Sequence, residues 1–196
     1  MGNDKSMKIC LDLHDFSVVN NRLEFLLKLK EHFPGFKVSL FTVPLDVETN
    51  WGACQIRRET LERIKNCLDW IQIIPHGLTH NSSREMNGCD YHTFKDKIMP
   101  SIKKIFDKDG LPFEKGFCAP HWRWSEGVVR ALDEDGWWGA INTRNPDMLS
   151  TKKFYKYSHC IDEPYHESAL DVLKLHWHIY GTCNDLGRCF TDLLKL

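Results

Sequence analysis

Trp70-Ile71-Gln72-Ile73-Ile74-Pro75-His76-Gly77-Leu78-Thr79-His80 is the stretch that decides how this chain folds. A short apolar run reaches Pro75, and two histidines follow it, four residues apart, around a glycine. A run of that length bounded by a turn signal reads as a buried strand that delivers its tip to a loop. On a helical turn, the spacing of His76 and His80 would set both imidazoles on one face, within reach of one ion. Taken alone, the pair fits two structural histidines equally well. It is not the H-E-x-x-H of metalloproteases, because Gly77 stands where the glutamate would be.

The rest of the chain repeats the same strand-to-loop design. Lys8 to His14 is an apolar run ending in polar residues, with Asp15 at its tip. Asn20 or Asn21 is expected to cap a helix in which Leu23, Leu26 and Leu27 share a face, stopped by Pro34-Gly35. Phe36 to Thr42 reads as a strand, and Leu61, Ile64 and Leu68 mark the next helix. Beyond His80, Ile98, Ile102, Ile105 and Phe106 align on a helix that ends near Gly110. Glu114 to Ala119 is an expected strand, Ser125 caps a helix bearing Val128, Val129 and Leu132, and Gly136 closes it. Strands follow at Trp137 to Asn142 and Val172 to Tyr180, with an edge strand expected at Lys153 to Cys160 and a short helix after Asn184. The alternation predicts a single α/β domain over residues 1–196, with a mostly parallel sheet, open or closed into a barrel. Active sites in such folds lie at the C-terminal ends of the strands. Asp15, His76, His80, His121, His176 and His178 all fall at or near such ends.

Composition narrows the function classes. With 26 Lys and Arg against 27 Asp and Glu and no basic stripe, no nucleic-acid partner is expected. No stretch approaches the ~18 apolar residues of a membrane span, and Met1 to Met7 lacks the apolar run of a secretory signal. Gly2 and Ser6 echo a myristoylation signal only weakly, against Asp4-Lys5 and the early strand. The cysteines form no C-x-x-C pair and several sit in apolar runs, so free thiols in a reducing, cytoplasmic setting are expected. Most tryptophans read as core, Trp137 and Trp138 among them, with one of that pair a candidate to face a pocket. His32, His92, His159 and His166 read as surface or loop residues.

Asp15 could supply a hard oxygen ligand beside His76 and His80. Two histidines and one carboxylate with a position left open is the pattern of a catalytic zinc rather than a structural one. The competing reading of Asp15 is a cap for the following helix.

An Asp at the tip of the first strand, H-x-x-x-H after the third, a Pro-containing turn in Phe117-Cys118-Ala119-Pro120-His121-Trp122 and a Leu-x-His strand near the C-terminus occur in that order. Over roughly residues 8 to 180 the chain resembles the polysaccharide deacetylase family, also known as the NodB-homology or carbohydrate esterase family 4 group. The resemblance implies a distorted (β/α) barrel. It implies metal-dependent removal of N-acetyl, less often O-acetyl, groups from a sugar or glycoconjugate. One divalent ion is held by Asp15, His76 and His80, zinc first, with Co, Ni or Mn as alternatives. A base takes a proton from water and a histidine protonates the leaving amine. By position, His176 in Leu173-Lys174-Leu175-His176 is the acid, with His178 as its stand-in or a substrate contact. His121, Trp122 and Arg123 either meet substrate or pack their loop.

Two departures stand out. Such proteins usually carry two adjacent aspartates on the first strand, the first serving as base. Here the pair is His14-Asp15, which leaves His14 as the candidate base and Asp12 as a second one. The arginine that usually pairs with the base is replaced by Cys118. Two alternatives therefore stay open: a catalytically impaired relative that binds a carbohydrate or a partner protein, and a metal-dependent amidohydrolase with another substrate class.

Overall fold

A computed structural model describes residues 8–17, 23–45, 58–82, 84–141, 154–156, 159–160 and 172–178, with 8–10, 155–156, 159–160 and 172–178 given by backbone alone. The elements are β1 (Lys8–Phe16), α1 (Leu23–His32), β2 (Val38–Thr42), α2 (Arg58–Lys65), β3 (Ile71–Pro75) and α3 (Arg84–Asn87). Then α4 (Tyr91–Thr93) runs through a π-helical turn (Phe94–Ile98) into α5 (Met99–Asp109). There follow β4 (Gly116–Phe117), a turn at Pro120–Trp122, α6 (Glu126–Glu134), β5 (Trp138–Ile141), β6 (Phe154–Lys156), β7 (His159–Cys160) and β8 (Val172–His178).

All strand pairs are parallel, in two sheets ordered β3-β2-β1-β8-β7 and β4-β5-β6. Main-chain bonds tie the sheets together where β4 runs beside β3: Glu114 N donates to Ile73 O at 2.9 Å and Cys118 N to Pro75 O at 3.3 Å. The strands thus follow one another as β7-β8-β1-β2-β3-β4-β5-β6. Among the described residues β6 and β7 do not pair, so the sheets do not close into a barrel.

Strand periodicity separates two apolar layers. Leu11, Leu13, Val38, Leu40, Ile71 and Ile73 turn outward to the helices, against residues such as Leu26, Ile64, Phe106 and Leu132. Phe41, Ile74, Cys118 and Ala140 form a second cluster on the opposite face, with Trp122 and Trp138 packed on it. Asp12 and His14 alternate with Leu11 and Leu13 on β1, so the strand sends polar side chains to that second face. Among the described residues, the buried polar ones are Asp12, His14, Asp15, Ser17, Thr42 and His76, and all sit on β1, β2 and β3 or just past their ends. Burying such groups costs free energy unless each is paired or binds an ion, so their concentration at one end of the sheet marks a site. A cavity of about 510 Å³ at the other end, near Ser39, Asp69, Gln72 and Phe113, carries none of the histidines.

Several expectations are met by specific contacts. Ser125 Oγ accepts from Val128 N at 3.2 Å and caps α6, and Gly110 closes α5 in the left-handed region at φ +61°. Trp137 is buried core, while Trp138 is half-buried against Phe41. Cys67, Cys89 and Cys118 are free thiols. The single edge strand expected at Lys153 to Cys160 is instead two short strands that belong to different sheets, β6 beside β5 and β7 beside β8. β4 is shorter than expected because Gly116 and Phe117 alone keep ladder geometry. The expected cap at Asn20 or Asn21 and the helix after Asn184 lie outside the described residues. No helix among the described residues is long and apolar enough to cross a membrane.

Candidate metal centre

Three adjacent strand ends and the loops that leave them build one cluster. Asp15 ends the regular part of β1, where the pairing with β2 slips between Leu13 and Phe16. Its φ of +62° swings the carboxylate out of the strand's alternation, a conformation Asp accepts more readily than most residues. His76 follows β3 directly, its N–H donating to Thr42 O at 2.9 Å. His76 Nε2 lies 3.2 Å and His80 Nε2 3.1 Å from Asp15 Oδ1, and the three donor atoms lie within 4.8 Å of one another. The two histidines do not meet through a helical turn, as their spacing suggested. Gly77 at φ +71° and His80 at φ +55° fold the loop back on itself instead. Gly77 is required twice over: a side chain there would strain the backbone, and its Cβ would run into the ring of Pro120.

Hydrogen positions at His76 follow from its partners. Its Nδ1 lies 2.9 Å from the Cys118 carbonyl, which can only accept, so Nδ1 carries the proton. Burial holds the His76 pKa below its ordinary value, with Asp15 only partly offsetting it, which favours the neutral ring. In the neutral form its Nε2 lone pair faces a carboxylate oxygen at 3.2 Å, acceptor against acceptor. A cation between them removes the conflict. Donors at ~2.0–2.1 Å from a tetrahedral ion stand about 3.3 Å apart, close to the separations seen here. The Nδ1–carbonyl bond is also the usual outer support of a metal-bound imidazole. Two nitrogens and one oxygen from the protein fit a divalent ion with a coordination position to spare. At His80 burial acts to lower the pKa, but the hydrogen bond and charge of Asp15, with Glu85 behind, outweigh it and hold the value above normal.

His14, His76 and Cys118 also bring donor atoms within 4.8 Å of one another. That trio makes the poorer centre. Burial pushes the Cys118 thiol well up, with Asp15 and Asp12 adding to the effect, and His76 Nδ1, the ring nitrogen on the Cys118 side, is already committed to the Cys118 carbonyl.

His14 is fully buried. Its ring stacks on Phe41 with centroids 4.2 Å apart, meets His76 edge-on at 4.9 Å and lies 5.2 Å from Trp122. Asp12 is buried one step deeper on the strand. Beyond Pro120, His121 is exposed with its ring 4.6 Å from that of His80, Trp122 is half-buried and Arg123 is exposed. His121 and Trp122 have φ of +54° and +60°. With Asp15 and His80 they are the described non-glycine residues at positive φ, all at this site, as stored strain at functional sites would predict. The backbone register of β8 sets His176 opposite Asp12 and His178 opposite His14; their side chains lie outside what is described. Sequence reasoning missed Glu85. It follows Ser82 with the S-x-x-E spacing of a capping box, which could have flagged it.

No family model matches this chain, and no curated protein does. Solved structures share its fold. A family 4 acetyl xylan esterase from Clostridium thermocellum, in complex with a cobalt ion, is 12% identical with a TM-score of 0.58, covering 96% of this chain and 84% of its own. The chitin deacetylase from Colletotrichum lindemuthianum is 16% identical with a TM-score of 0.57, covering 96% and 80%. A CE4 family pseudoenzyme from Bacillus anthracis is 15% identical with a TM-score of 0.57, covering 96% of this chain and 60% of its own.

Proposed function

We infer that this chain, which carries the fold of the polysaccharide deacetylase superfamily, is a metal-dependent hydrolase that removes an acetyl group from an N-acetylated sugar or glycoconjugate. The observation that carries the reading is the convergence of His76 Nε2 and His80 Nε2 on Asp15 Oδ1, at 3.2 and 3.1 Å, with Asp15 and His76 buried. Asp15, His76 and His80 hold the ion, zinc first, with Co, Ni or Mn as alternatives. When bound, a divalent ion supplies Lewis-acid polarisation of the acetyl carbonyl. His14 takes the proton of the attacking water, with Asp12 as the other candidate. A histidine of β8, His176 or His178, protonates the leaving amine, so that amide and water become acetate and free amine. In this reading His121, Trp122 and Arg123, with the His121 ring 4.6 Å from that of His80, meet the sugar. In this reading the two sheets belong to one distorted barrel.

The test is acetate release. Chain loaded with one equivalent of zinc or cobalt is expected to liberate acetate from N-acetylglucosamine oligomers, and the stripped chain is not. A second reading has its own support: His14 is fully buried against Phe41, and a thiol stands at Cys118. In that reading the centre binds its ion and a carbohydrate without turnover. Stoichiometric metal with no acetate from N- or O-acetylated sugars would decide for it.

Metal affinity should depend on pH with a definite sign. A ligating imidazole must be neutral, and the His80 pKa is raised in the metal-free chain while that of His76 is lowered. Cobalt affinity is therefore expected to be flat at alkaline pH. It should fall about tenfold per pH unit once pH drops below the His80 value, which lies above the usual ~6.5. The slope should steepen only in more acid solution, where His76 also takes a proton. Visible absorption titrations with cobalt from acid to alkaline pH measure this, and an affinity independent of pH would exclude histidine ligation.

A further inference from the structure

The loop that carries both histidines closes around one carboxylate. Glu85 Oε1 accepts from Leu78 N at 2.5 Å and Oε2 from His80 N at 2.8 Å, while Thr79 N lies 3.3 Å from each oxygen and Thr79 Oγ donates to Oε2 at 3.0 Å. Three successive main-chain N–H groups around one anion form a nest, a concavity that elsewhere takes a free phosphate or carboxylate. Here the fold fills it from its own α3. Met86, the next residue, is fully buried in the core and anchors that short helix. Gly77 lacks the Cβ that would lie 2.9 Å from Glu85 Oε1, so the carboxylate can close on the loop.

The contact bears on the ligands directly. His80 holds a left-handed backbone, which a residue with a side chain keeps only when its surroundings over-determine it. Its own N–H is one of the three on Glu85, and a hydrogen bond to a charged acceptor is among the stronger kinds. We propose that Glu85 is a positioning residue of the metal centre. Its carboxylate fixes the His76–His80 loop so that His80 Nε2 is presented to Asp15 before any ion arrives. The proposal rests on the metal-binding reading, and it adds the residue that pre-forms the site.

Two readouts test it on the full chain, one with the metal and one without. Cobalt affinity is expected to fall about 10–100-fold in Glu85→Ala, the usual weight of a group that supports a ligand from behind, and by less in Glu85→Gln, which keeps one acceptor oxygen. In the metal-free chain, amide hydrogen exchange at Leu78, Thr79 and His80 should speed by about tenfold or more in Glu85→Ala. In Glu85→Gln the protection should survive at one end of the loop and be lost at the other. Exchange across β1, β2 and β3 should stay at the parental rate in both. Cobalt affinity within twofold of parent in the variants that fold, or unchanged exchange at the three amides, would overturn the proposal. So would acceleration spread evenly over the β1–β3 core, which would make Glu85 a support of the fold at large. A parent chain that takes up no cobalt would refute the metal reading alone, and the exchange rates would still decide whether Glu85 holds the loop.

Discussion

Asp15→Asn is expected to yield a folded chain that retains no divalent ion and whose metal-free form, at alkaline pH, is at least as stable as the parent's. The two halves of that outcome come from one contact. Asp15 Oδ1 stands 3.2 Å from a His76 nitrogen and 3.1 Å from a His80 nitrogen. At alkaline pH both imidazoles are neutral, and the Nε2 lone pair of His76 faces the carboxylate with no proton between them. An Asn amide can turn a donor toward the imidazole, and Asn tolerates the left-handed backbone at φ +62° as well as Asp does. The change therefore relieves repulsion in the empty site while it removes the one anionic ligand. The loss of cobalt affinity should exceed the roughly 10–100-fold that loss of an outer partner costs. Equilibrium unfolding without metal and cobalt titration of the same preparations measure both halves. If Asp15 were only the acceptor of a protonated histidine, Asp15→Asn would destabilise the empty chain at acid pH and leave it unchanged at alkaline pH, and cobalt uptake at parental affinity would remove Asp15 from the centre.

Low pH reverses the stability sign, which supplies an internal control. The His80 pKa is raised in the folded chain, so the His80–Asp15 pair contributes stability below the pKa of the unfolded state. That contribution is lost as pH rises through the folded value. Asp15→Asn should thus be the less stable chain in acid and lose that deficit toward alkaline pH.

The parts of this site that could be read from sequence are those that periodicity and spacing encode. The runs into Asp15 and Pro75 alternate or bury as strands do, so β1 and β3, and the residues that converge at their tips, were legible. The backbone at those residues was not. Glycine advertises the left-handed region, as at Gly77, but nothing in the names of Asp15, His80, His121 and Trp122 does so. The i, i+4 spacing of His76 and His80 suggested a helical turn because helices are the commonest way to satisfy it. The loop reaches the same end by reversing direction around Glu85. Glu85 itself sits in a helix of four residues, too short for an amphipathic period to register. Lys153 to Cys160 read as one strand because β-propensity is a property of single residues, whereas membership of β6 or β7 depends on which partner strand lies alongside.

His14→Phe is expected to keep the fold and the metal and to lower acetate release by about two to four decades, the weight of a general base. Phenylalanine separates the two things that the His14 ring can do. As a flat apolar body, the ring stacks on Phe41 at 4.2 Å and 19° and lies 5.2 Å from Trp122. Phenylalanine can take over that packing, since parallel-offset aromatic pairs do not need a nitrogen. As a proton acceptor, the ring is edge-on to His76 at 4.9 Å, close enough to the ligand cluster for a water to bridge the gap. Phenylalanine cannot take over that role. Burial is no bar to it, because catalytic hydrogen bonds often form only once substrate is present. Asp12 is the competitor, two residues back on the same face and likewise buried. Asp12→Asn keeps its shape and removes its basicity, so it is the matched control. pH–rate profiles for parent, His14→Phe and Asp12→Asn assign the base. An acid limb that disappears in His14→Phe and persists in Asp12→Asn gives the proton to His14, and the converse gives it to Asp12. Near-parental turnover in His14→Phe would leave His14 as a packing ring beneath the centre.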